Sequence, residues 1–155
     1  MRRGYRQQLS SAYALGMAAR SIVRIALGSF LAFAGIAHLT IAREEFQAQV
    51  PDWVPLDPDT TVVASGVAEV GLGAALLVAR KHRGLVGIIA ALFFVAVFPG
   101  NLSQWANGRD GFGLDTDTKR FVRLFFQPVL IWAAIWSTRG GARRSKRATQ
   151  EGPAE

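Results

Sequence analysis

Four long apolar blocks, with charges collected almost entirely in the connections between them and at the two ends, constrain this 155-residue chain more than any motif in it. The blocks are residues 21–42 (SIVRIALGSFLAFAGIAHLTIA), 60–79 (TTVVASGVAEVGLGAALLVA), 85–102 (LVGIIAALFFVAVFPGNL) and 121–137 (FVRLFFQPVLIWAAIWS). A helix needs about 20 residues to cross a bilayer, and about 17 at the least, so every block is long enough. Glycine and proline inside them weaken a soluble helix but are tolerated in membrane helices, where neighbours satisfy the freed backbone groups. A soluble bundle would show a polar stripe on each helix, and these blocks show none. The expected fold is therefore all-α, an integral-membrane bundle of four transmembrane helices over residues 21–137. A basic N-terminal arm (1–20) and a basic tail (138–155), expected to be disordered, lie outside it.

The net charge of +7 invites a nucleic-acid reading, but its placement argues for a lipid one. Arg2, Arg3, Arg6 and Arg20 precede the first block, RKHRG (80–84) joins the second and third, and Arg139, Arg143, Arg144, Lys146 and Arg147 follow the fourth. Basic residues beside apolar spans act as topology signals and contact anionic headgroups, so the bilayer is the expected partner and nucleic acid is not. The connection 43–59 has one basic and five acidic residues, and 103–120 has three of each. The positive-inside rule then places both termini and the 80–84 turn in the cytoplasm. Arg24, early in a long apolar run, marks the first block as an uncleaved signal-anchor, and residues 5–19 read as an amphipathic helix along the membrane surface.

In the first outer connection Pro51, Pro55 and Pro58 break the helix, Trp53 suits an interfacial anchor, and Asp59 or Thr60 can cap the second span. ANGRDGFG (106–113) reads as mobile turn material, and Trp105, Trp132 and Trp136 as an interfacial belt. The chain has no cysteine, which excludes disulfides, thiolate metal sites and iron–sulfur clusters. His38 and His82 fall on opposite sides of the bilayer, so they cannot jointly ligate a haem iron. No metal-ligand spacing, phosphate loop or nucleophile elbow is present.

Polar residues at depth are the informative signal. Glu69 lies about ten residues from the outer end of the second block, near the midplane at about 1.5 Å per residue. His38, Asn101, Arg123 and Gln127 fall in the outer half of the other three blocks, so the five converge on the outer half as a polar core or ligand site, with Glu69 the deepest. Val62, Gly66, Glu69 and Gly73 share one helix face, and Gly28, Ala32, Gly35 and His38 form a matching row. Glycine rows let helices approach closely, so Gly28, Gly35, Gly66 and Gly73 are the expected packing residues and bring Glu69 to His38. A charged carboxylate at this depth is penalised by about 2.5–3.5 kcal/mol on insertion scales, so Glu69 is expected to be protonated or to pair with His38 or Arg123. Polar contacts that only fix helix register are the competing role. Pro128 is expected to kink the fourth helix and free a carbonyl towards the same compartment.

GIAHLTIAREEFQAQVPDWVPL, SGVAEVGLGAALLVARKHRGLVG and VFPGNL together resemble the DoxX family of small four-helix bacterial membrane proteins, over roughly residues 24–137. The positions that carry the likeness are His38, Pro55, Gly66, Glu69, Pro99 and Asn101. The family is named after a subunit of a membrane-bound thiosulfate:quinone oxidoreductase, so the resemblance implies a cytoplasmic-membrane location and admits a quinone as cofactor. The functional expectation is an accessory or ligand-binding subunit, not catalytic on its own, with a polar pocket in its outer half and a soluble or membrane partner. Two alternatives stand beside it: the membrane subunit of a quinone-linked oxidoreductase, in which Glu69 would be the catalytic proton carrier, and a small transporter that works as a homo-oligomer.

Overall fold

A computed structural model describes residues 2–139, with side chains at 2–6 and 8–10 outside the description. Six helices follow in order: α1 (Arg2–Leu39), α2 (Arg43–Gln47), α3 (Pro58–Val78), α4 (Arg83–Ala106), α5 (Asp117–Leu124) and α6 (Phe126–Thr138). No strand occurs among the described residues. Four segments are long and apolar enough to cross a membrane: Ser11–Leu39, Pro58–Val78, Arg83–Ala106 and Asp117–Thr138. α1 packs on α3 and on α6, and α4 closes the ring by packing on α6 and α3. Large apolar side chains such as Ile22, Ile36, Ile88, Leu92 and Val129 point outward, as a bilayer-facing surface requires.

The boundaries follow local chemistry. Residues 5–19, read as a surface helix, are helical and run straight on into the first span, because only Gly16 interrupts a stretch of good helix formers. Asp57, not Asp59 or Thr60, caps α3: its carboxylate accepts the Thr60 N–H at 2.9 Å, with Pro58 at the first helical position. That hydrogen bond holds the Asp57 carboxyl below the usual carboxylate range. Asp59 is occupied elsewhere, by the Arg43 guanidinium and by Gln47 Nε2 at 3.0 Å, which fastens α2 against the start of α3. The fourth span is interrupted at Phe125. Pro128 has no N–H for the Leu124 carbonyl, and the break falls at that level, as expected of an interior proline. Residues 140–155, most of the basic tail, lie outside the described residues.

The glycine rows of α1 and α3 do meet. A Cβ added to Gly35 would lie 2.6 Å from the Gly66 carbonyl oxygen, and one on Gly73 would lie 2.6 Å from the Ala32 nitrogen. On Gly66 it would come within 2.8 Å of the His38 Cβ, and on Gly28 within 3.0 Å of the Gly73 carbonyl oxygen. These neighbours are mostly backbone and cannot move aside, so only glycine allows the contact. A second close approach, absent from the sequence reading, joins α4 to α6, where Gly87 sits against the Ala134 carbonyl and Thr138. Between the two pairs Leu27, Leu31, Leu76, Ala90, Ala91, Phe94, Ala133 and Ala134 form the buried core.

Two arginines close helix ends opposite the α2 side. Arg24 donates to the carbonyls of Leu76 and Leu77 at the end of α3, and Arg20 donates to the Arg139 carbonyl at 2.7 Å, after α6. A cation there satisfies orphan carbonyls and the negative end of the helix dipole. Trp136, read as belt, lies under the Arg20 guanidinium at 5.6 Å and stacks on Trp132. Gly71 provides an internal control for the packing, since a Cβ there meets nothing within 4 Å. Gly73→Ala is expected to destabilise the purified protein by about 1–3 kcal/mol through overpacking, while Gly71→Ala melts at or above wild type. Equal melting temperatures for the two variants would contradict the α1–α3 packing.

Candidate functional site

The two helix pairs separate towards the α2 end and leave a cavity of about 940 Å3 between them. All five polar residues singled out by depth line it: His38 from α1, Glu69 from α3, Asn101 from α4, Arg123 from α5 and Gln127 from α6. Most of the rest of the wall is apolar, including Phe30, Phe33, Phe94 and Phe126. α2 and the two outer connections contribute Phe46, Gln49, Trp53 and Phe112 to its rim.

His38 continues the buried row Leu27, Leu31 and Gly35 to the last turn of α1, and Gly66 leaves it room. Its Nδ1 lies 2.8 Å from the Ala34 carbonyl oxygen and 3.0 Å from Glu69 Oε2. A carbonyl can only accept, so Nδ1 carries the proton, and that N–H is directed at Ala34. The contact with Glu69 is therefore close and electrostatic but not a directed hydrogen bond, and Oε2, fully shielded from water, receives none. Of the two cations weighed as partners for Glu69, His38 is the one that reaches it. Arg123 instead donates weakly to Gln104 Oε1 at 3.4 Å, and its guanidinium stands 5.2 Å over the Phe112 ring. Phe46 stacks on the His38 imidazole and meets Phe112 edge-on, so the short helix α2 covers the histidine from outside.

Across the cavity the amide donors are satisfied. Gln127 Nε2 donates to the Phe94 carbonyl, one residue before the Val95 carbonyl that Pro99 leaves without its helix donor. Gln127 Oε1 then accepts from Asn101 Nδ2 at 3.1 Å, tying α4 to α6. Asn101 and Gln127 thus do what polar residues that fix helix register do.

The rim is tied down more firmly than ANGRDGFG suggested. Arg109 donates to the Val50 carbonyl at 2.8 Å and grips the Asp52 carboxylate with Nη2, joining the two outer connections. Phe112 adopts a left-handed backbone (φ 56°), uncommon for a side chain of this size, and Glu45 accepts its N–H at 2.6 Å. Arg120, only 7% exposed, gathers Asp110, Asp117 and the Leu114 carbonyl. Arg120, Gln104, Phe46 and Phe112 were missed because they sit just outside the apolar blocks. Two signals were available: Arg120 opens the fourth block amid three aspartates, and Gln104 lies one turn beyond Asn101, near the end of the span.

Fold and cavity together define a class, an all-helical bundle with four helices of membrane-crossing length around a polar-pointed, apolar-walled cavity. Residues 27–138 match DUF8561, described as a domain of unknown function, and the chain belongs to that family. No curated protein and no solved structure matches it. The matched segment contains every residue that lines the cavity.

A double-mutant cycle on Asn101→Ala and Gln127→Ala is expected to return a coupling on the order of 0.6–1.7 kcal/mol in thermal or denaturant unfolding, the range for intramembrane polar pairs. Strictly additive effects would mean that the two amides do not bond across α4 and α6.

Proposed function

We propose that this chain is a DoxX-like multi-pass protein of a bacterial cytoplasmic membrane, with both termini cytoplasmic. In this reading it works as an accessory or ligand-binding subunit that holds a small hydrophobic molecule, a quinone or a lipid, in the outer half of its bundle. A partner subunit would perform or receive the chemistry.

The observation that carries the reading is the unfinished bonding of Glu69. A carboxyl group 7% exposed at the depth of a bilayer, beside a cavity of about 940 Å3, has no directed donor for Oε2 among the described residues. An acid at that depth is expensive where serine or asparagine would fix register as well, and such residues mark functional sites by default. The cavity has the size and the sparse polar lining of a small-molecule site. The orientation draws support from the end of the bundle where Arg20, Arg24 and Arg139 meet, which also carries Arg80, Lys81 and Arg83.

The reading is tested by purifying wild type and Glu69→Gln in the same detergent and extracting both for mass spectrometry. Wild type should retain a lipophilic compound, enriched over empty micelles, that the variant loses at an unchanged melting temperature. No enrichment in wild type, or equal retention by both, counts against the site. A reporter fused after the last residue should be active only in the cytoplasm, and a periplasmic signal would reverse the orientation.

A further inference from the structure

The hydrogen-bonding groups around the cavity are sorted by kind. On the inner wall the donors are used up: His38 Nδ1–H goes to Ala34, Asn101 Nδ2 to Gln127, and Gln127 Nε2 to the Phe94 carbonyl. The amide orientations follow from chemistry, since the Phe94 carbonyl needs a donor, which leaves Gln127 Oε1 facing Asn101 and forces Nδ2 towards it. What remains at this level is a set of acceptors. Among the described residues no donor is directed at Glu69 Oε2, and none reaches His38 Nε2 or Asn101 Oδ1. Nδ1, its N–H turned to Ala34, stands 3.0 Å from Oε2, and that positive edge of the ring favours lone pairs on the facing oxygen over an O–H aimed at it. The unused donors lie outward of Glu69: the Ser65 hydroxyl one turn away on α3, Gln49 Nε2, buried without an acceptor, and Arg123, which spends one weak bond on Gln104.

We propose that the cavity selects a lipophile bearing a hydroxyl group, an alcohol or a phenol, which enters hydroxyl first and donates its O–H to Glu69. This rests on the ligand-site reading above and narrows it. A molecule of the same shape that can only accept, such as an ether or a fully oxidised quinone, would leave the buried carboxylate oxygen unbonded and set its own lone pairs against those of Glu69, His38 and Asn101. A buried carboxyl oxygen with no other directed donor is costly to leave unbonded, so the discrimination should be large.

Two matched pairs of probes test this by titration calorimetry in detergent, referenced to partition into empty micelles: 4-octylphenol against 4-octylanisole, and 1-dodecanol against its methyl ether. In at least one pair the hydroxyl compound should bind about tenfold or more tightly than its ether, and Glu69→Gln should narrow that ratio. Selection within the first pair alone identifies a phenolic ligand, and within the second alone a lipid alcohol. Equal affinities within both pairs overturn the donor preference while leaving a ligand site in place. Binding of none of the four overturns the ligand-site reading as well. Should Glu69→Gln fail to fold, the wild-type ratios decide the question without it.

Discussion

The close approach of α1 and α3 is the contact on which the rest of the molecule depends. Four glycines, Gly28, Gly35, Gly66 and Gly73, bring two backbones near enough that an added Cβ at any of them would meet the other helix at 3.0 Å or less. In lipid there is no hydrophobic drive to press helices together, so close backbone packing supplies the attraction. That packing sets the height and rotation of one helix against the other. It therefore decides that His38, at the end of α1, stands 3.0 Å from Glu69 in the middle of α3.

The opposite wall is built on different terms. α4 and α6 approach through Gly87 at one end, while the Asn101–Gln127 pair and the Gln127 bond to the Phe94 carbonyl tie them at the cavity. On one wall the amide donors are spent between helices; the other presents a carboxyl oxygen that no donor is directed at. The outer connections complete the enclosure, with Phe46 on His38, Phe112 on Phe46, and Arg109 and Arg120 fixing the loops that carry them. The proposed ligand site would put this difference to use, by receiving a polar group from a hydrophobic molecule.

Much of this was legible in the chain itself. Spans were readable because a bilayer demands about 20 apolar residues in a row, a signal that survives without tertiary context. The α1–α3 pairing was readable because glycines at helical spacing have few other uses in a membrane segment, and the convergence of five polar residues followed from counting depth. What stayed hidden lies where tertiary bonds decide. Asp57 takes the cap because Arg43 and Gln47 claim Asp59. α4 runs four residues past its apolar block because Asn101 and Gln104 are buried by α5, α6 and the loops, not by lipid. ANGRDGFG looked mobile because its anchors, Val50, Asp52 and Glu45, are distant in sequence. Arg123 was a reasonable partner for Glu69 by depth alone, but rotation about the fourth span aims it at Gln104 and Phe112 instead.

The central claim is that helix packing sets a protonated His38 Nδ1 against a carboxylate oxygen of Glu69 that waits for a donor. Magic-angle-spinning NMR on the wild-type protein in lipid bilayers, with 15N-labelled histidine and 13C-labelled glutamate, tests it directly, since the chain has only two histidines to assign. The predicted spectrum shows His38 Nδ1 protonated and in direct dipolar contact with one glutamate side-chain carboxyl carbon, a contact that vanishes in Glu69→Gln. A His38 ring with an unprotonated Nδ1, or with no carboxyl carbon beside it, would contradict the account.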